Sequence, residues 1–105
     1  MPQNEQEIER EIKDKGLNAP RLTPDHIDSK IADEDYHVFP GSCTTVCCLT
    51  LVNGYTVLGY SACASPENFD ENIGRKVAFG KARDQIWGVE GYLLRERLHN
   101  GTPLV

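Results

Sequence analysis

The chain has 105 residues, 39% of them hydrophobic and 26% charged, with a formal net charge of −5. That is enough for one small domain with little margin of stability, so an interface between copies would help it. The acidic balance argues against a general nucleic-acid binder, which needs a basic surface to displace counterions from phosphates, but it leaves room for a local basic pocket.

No apolar run approaches the ~18 residues that a membrane span requires. Met1 to Lys15 is polar and charged, without the apolar stretch of a secretory leader. A cytoplasmic protein with no membrane partner is therefore expected, and the four cysteines (Cys43, Cys47, Cys48 and Cys63) are expected in a reducing compartment.

In chain order, residues 1–42 read as an N-terminal helical region. Glu5 to Lys15 predicts a short amphipathic helix with Ile8 and Ile12 on one face and Gly16 at its C-terminal cap. Gly16 to Leu22 is a linker. Thr23, Pro24 and Asp25 then form a helix start, with a side-chain cap, a proline in the first turn and an acidic residue at the positive end of the dipole. Ile27 and Ile31 would be the apolar face of this second helix. Asp33-Glu34-Asp35 would be its solvated end, since it lacks the alternating oxygen ligands of a calcium loop.

Residues 43–63 predict an antiparallel β-hairpin. Two β-rich runs flank Asn53-Gly54, the dipeptide that favours a two-residue type I′ turn. With those two residues as the turn, Val52 pairs with Tyr55. One face then carries Val46, Cys48, Thr50, Val52, Tyr55, Val57 and Cys63, and the other Cys47, Leu49, Leu51, Leu58, Tyr60 and Ala62. No charged residue occurs from Cys43 to Ala64, so both faces should be covered, one by helices and the other, or the open edge, by another copy of the chain. A homo-oligomer is expected on that ground.

Residues 65–99 read as C-terminal helices. Ser65-Pro66-Glu67 starts a short turn to Asp70, a main helix follows over about Glu71 to Trp87, and a last helix runs from about Val89 to His99. Asn100-Gly101-Thr102-Pro103 ends the pattern. The fold class is thus a single α+β domain, a hairpin packed with an N-terminal helical region and a C-terminal helical pair.

Cys43-x-x-x-Cys47-Cys48 lacks the spacing that brings two thiolates to one tetrahedral metal, and adjacent strand residues point to opposite faces, so no metal site is expected. Nor does the sequence place His37 or His99 beside Cys47 or Cys63 as a nucleophile–base pair, so no enzyme, catalytic residue or cofactor is expected. The main helix carries a more specific pattern. At 100° per residue Lys76 and Arg83 fall nearly on one line, with Phe79 on one side and Phe69 and Trp87 on the other. Cations between aromatic faces can hold a phosphate and stack a base. The candidate ligand-binding residues are Phe69, Asn72, Arg75, Lys76, Phe79 and Arg83, in a pocket expected between subunits.

Gly16-Leu17 through Ala19-Pro20-Arg21, Thr23-Pro24, the hairpin Leu51-Val52-Asn53-Gly54-Tyr55 with Gly59 to Cys63, and Asn68-Phe69-Asp70 resemble one family. So do Ile73 to Lys76, Ala82-Arg83, and Ile86-Trp87 with Glu90 to Leu94. It is a family of short tailed-phage proteins, known mainly by gene-product numbers in coliphages and Shigella phages, and the resemblance spans about Glu5 to Leu98. It implies a phage or prophage protein outside the virion, acting in the host cytoplasm, with no biochemical activity attached. By analogy with other small phage proteins, two roles follow: an oligomeric sponge for a small nucleotide-derived anion, or an inhibitor or adaptor acting on a host protein.

Overall fold

The computed structural model describes residues 4–17 and 19–101. Asn18 of the linker and Thr102 and Pro103 of the expected helix end lie outside the described residues.

Helix α1 (Glu5–Asp14) begins where the Asn4 Oδ1 accepts from the Glu7 N–H at 2.8 Å, and it ends at Gly16, whose φ of 65° closes the last turn. Neither isoleucine is buried. Ion pairs anchor this helix instead, Glu5 to Arg83 and Glu9 to Arg21, each at 2.7 Å. Helix α2 (Pro24–Ser29) starts as expected, with the Thr23 hydroxyl accepting from the His26 N–H at 3.1 Å and Ile27 fully buried.

The chain leaves α2 earlier than expected. Ile31 and Asp33-Glu34-Asp35 belong to strand β1 (Ile31–Val38), which pairs antiparallel with β2 (Thr45–Leu51). The sheet is therefore a three-stranded meander in the order β1-β2-β3, with β3 at Thr56–Ser61, rather than a lone hairpin. Aspartate disfavours strands in isolation, but the open edge of β2 supplies a ladder of backbone partners that outweighs it.

The turn differs too. Val52, Asn53 and Gly54 together connect β2 to β3. Leu51 N–H donates to the Tyr55 carbonyl at 2.7 Å, and Gly54, at φ 90°, returns its N–H to the Leu51 carbonyl at 2.9 Å. This is the three-residue hairpin loop with a left-handed glycine, not the two-residue turn. The added residue shifts β3 by one, pairing Leu49 with Val57 and Cys47 with Gly59. Val57, Gly59 and Ser61 therefore join Thr45, Cys47, Leu49 and Leu51 on the buried face, while Leu58 and Tyr60 turn outward at 58% and 61% exposure. Among the described residues of one chain, nothing covers that outer face.

The expected C-terminal pair is a single helix, α3 (Glu71–Asn100), about 45 Å long. The interior glycines weaken a helix by about 1 kcal/mol each without breaking it, since only proline both clashes and removes a donor. A short 3₁₀ turn, Pro66–Asn68, leads into the Asp70 cap, and Gly101 at φ 68° ends α3. The helix lies across the inner face of β2 and β3. Its small residues Ala78 and Ala82 sit directly over Gly59, where a Cβ would collide with their backbone atoms and with the Lys81 carbonyl carbon at 2.8 Å. The core is Ile27, Cys47, Leu49, Leu51, Val57, Ala78, Ala82 and Ile86, flanked by Leu22, Ile31, Tyr36, Phe79 and Trp87.

Candidate functional site

Where β1 passes the first turns of α3, Glu34 and Tyr36 from the strand and Arg75, Lys76 and Phe79 from the helix line a recess of about 390 Å³. Arg75 and Phe79 share a helix face by their i, i+4 spacing. The Arg75 guanidinium lies 5.4 Å from the centre of the Tyr36 ring and is also held by Glu71 at 3.0 Å. Three of the six residues expected from the sequence therefore meet here.

Burial pushes the Tyr36 hydroxyl up to about 12, with Cys47 and Glu34 adding to the shift and Arg75 opposing it. Burial also raises the Cys47 thiol, while its hydrogen bond with Tyr36 pulls the other way. At neutral pH Tyr36 is thus an uncharged ring under a cation. Chemically, the recess offers two cations for a phosphate, two rings for stacking, and the Glu34 carboxylate as an acceptor for a ligand hydroxyl or N–H. Tyr36 and Glu34 had no signal in the sequence, because the helix pattern was carried past Ser29 into residues that form a strand.

The other three expected residues are elsewhere. Arg83, expected to hold a phosphate, is committed to the fold. Its side chain is 14% exposed, with Nε on Asp28 and Nη1 on Glu5, both at 2.7 Å. Those hydrogen bonds push its pKa up and keep it charged. Helical periodicity placed Arg83 near Lys76 on α3 but carried no information about the carboxylates of α1 and α2. Phe69 lines a separate cavity of about 150 Å³ with Cys43, Cys63, Ile73 and Gly74. Asn72 is exposed on the first turn of α3, outside the recess.

A further charged cluster was not legible. His26 Nε2 and the Glu90 carboxylate lie 2.8 Å apart, Glu90 being only 8% exposed, in a cavity of about 260 Å³ that Arg21, Lys30 and Arg97 also line. The pair joins α2 to the far half of α3 across sixty-four positions of sequence. His26 thus makes a tertiary contact while its side chain stays 41% exposed. Among the described residues, no group of three or more His, Cys, Asp or Glu side chains is placed to hold a metal ion. No described helix is long and apolar enough to cross a membrane.

One long helix packed on an antiparallel meander defines a small two-layer α+β protein. Its long-range charged contacts join the helices to one another, Arg83 to Glu5 and Asp28 and His26 to Glu90. The chain belongs to the Phage protein (N4 Gp49/phage Sf6 gene 66) family, which it matches over residues 22–98, from α2 through the sheet to the last turns of α3. Helix α1 lies before that span. Comparison with curated proteins gives no match, and comparison with solved structures gives none.

Proposed function

We propose that this phage protein is an accessory factor that captures a small anionic, nucleotide-derived signalling molecule in the host cytoplasm, without turning it over, and so helps the phage evade defence. The observation that carries the reading is the recess where Arg75 and Lys76 converge with the rings of Tyr36 and Phe79 in a protein of net charge −5. Cations flanked by aromatic faces recognise a phosphate and a base together, and tight capture needs no acid–base pair. Self-assembly belongs to the same proposal. The outer sheet face exposes Leu58 and Tyr60, and the β3 edge, unlike β1, carries no charge to discourage pairing with another strand.

Isothermal calorimetry tests the ligand. With about 100 μM protein, cyclic di- and trinucleotides and cyclic ADP-ribose isomers are titrated in turn, a range that detects micromolar binding. Heat with one of them, lost in an Arg75→Glu, Lys76→Glu variant that still folds, supports capture. No heat with any of them refutes it. Sedimentation showing only monomer at high concentration removes the assembly part.

The same exposed outer face favours a second reading, an inhibitor or adaptor that binds a host protein there. It expects a host partner whose binding is lost in Leu58→Lys and is indifferent to Arg75→Glu.

A further inference from the structure

The open end of the β2–β3 ribbon places two thiols face to face. The ladder runs from Thr50↔Thr56 near the turn to Thr45↔Ser61 at the other end, and the same register continued by two residues sets Cys43 opposite Cys63. Both are half-buried, and both line the small cavity closed by Phe69, Ile73 and Gly74 at the start of α3. The neighbouring Cys63 thiol, together with burial, pushes the Cys43 thiol up. The remaining cysteines have no such arrangement. Cys47 is fully buried against Tyr36, and Cys48, next to it on β2, points to the opposite face of the sheet.

We propose that Cys43 and Cys63 form a dithiol–disulfide site, oxidised by a low-molecular-mass disulfide such as glutathione disulfide. The Cys63 thiolate attacks one sulfur of glutathione disulfide, forming a mixed disulfide and expelling one glutathione thiolate, which takes up a proton. Cys43 then gives up its proton and attacks the Cys63 sulfur. The mixed bond breaks, the second glutathione leaves as thiol, and an intrachain S–S bond remains. Two electrons pass from the protein thiols to the glutathione disulfide. The roles can also be exchanged, since either thiolate can attack first and the other then resolves the mixed disulfide.

The bond would staple the end of the ribbon that has no turn, restricting the unfolded chain over the loop between the two cysteines. It would also join two of the residues that line the cavity beside Phe69.

The test uses the full chain in glutathione redox mixtures. Free thiols counted after denaturation should fall from four to two, and peptide mapping should find Cys43 joined to Cys63. The melting temperature should rise by on the order of 10 °C and return on addition of dithiothreitol. The variant Cys43→Ser should stop at one glutathione on Cys63, and Cys48→Ser should still form the bond. Four free thiols under oxidising mixtures, a wild-type chain arrested as the mixed disulfide, or a bond mapped to Cys47 or Cys48 would each overturn the proposal.

Discussion

Replacing Gly59 by alanine tests the contact on which the whole arrangement turns. In the observed register Gly59 faces inward beneath α3, and an added Cβ would overlap backbone atoms of Ala78 and Ala82 and come within 2.8 Å of the Lys81 carbonyl carbon. Ordinary carbon contacts lie near 3.5–4.0 Å, so the helix would have to lift by roughly 1 Å. No flexible side chain can yield, because the obstructing atoms are helix backbone. Lifting α3 would open gaps around Ala78, Ala82 and Ile86, all fully buried. Overpacking costs about 1–3 kcal/mol where side chains can adjust, and a backbone clash belongs at or above the top of that range, about 3–4 kcal/mol. Against a total stability of about 5–15 kcal/mol, the variant should be marginal at 37 °C. Urea denaturation followed by circular dichroism measures the loss. Gly80→Ala is the control: its Cβ would meet no atom within 4 Å, and it should be neutral or stabilise by up to about 1 kcal/mol. A Gly59→Ala chain within about 1 kcal/mol of the parent would refute both the close approach and the register. Under the two-residue turn, position 59 would face away from α3.

Arg83→Met should weaken the anchoring of α1, since Arg83 alone bridges Glu5 and Asp28. Both carboxylates are largely solvated, so the loss is held to about 1–2 kcal/mol, with reduced helical signal at 222 nm and less dependence of the melt on salt. An unchanged melt at both low and high salt would remove the anchor. Stability should also decline in alkali. Tyr36 is raised to about 12 in the fold, while the unfolded chain releases that proton near the usual 10. Between these values the unfolded state binds fewer protons, so stability falls as pH rises through the interval. Urea midpoints from pH 9 to 12 should show a smaller decline across that upper interval in Tyr36→Phe, and an equal decline would show that Tyr36 does not contribute.

The recess was half legible. Arg75, Lys76 and Phe79 came from one helix, where a fixed rotation per residue makes neighbours computable from spacing alone. Their strand partners did not, because Ile31 continues the apolar spacing begun at Ile27 and so hides the point where α2 stops. Arg83 was misread for a complementary reason: its partners are fifty-five and seventy-eight positions away.

Local chemistry in the chain determined the caps at Asn4, Thr23 and Asp70, the glycine stops at Gly16 and Gly101, the two β-rich runs and the charge-free character of the ribbon. Such features depend on groups within about four residues of one another, so they survive without knowledge of the fold. Tertiary structure alone decided that residues 31–38 form a strand, that β3 slips by one residue, that α3 runs unbroken through its glycines, and that Arg83 pairs with carboxylates of α1 and α2. Each of those outcomes is a competition between local preference and a partner distant in sequence. Backbone pairing and the burial of Ile27, Leu49 and Ile86 in one core outweighed the local terms.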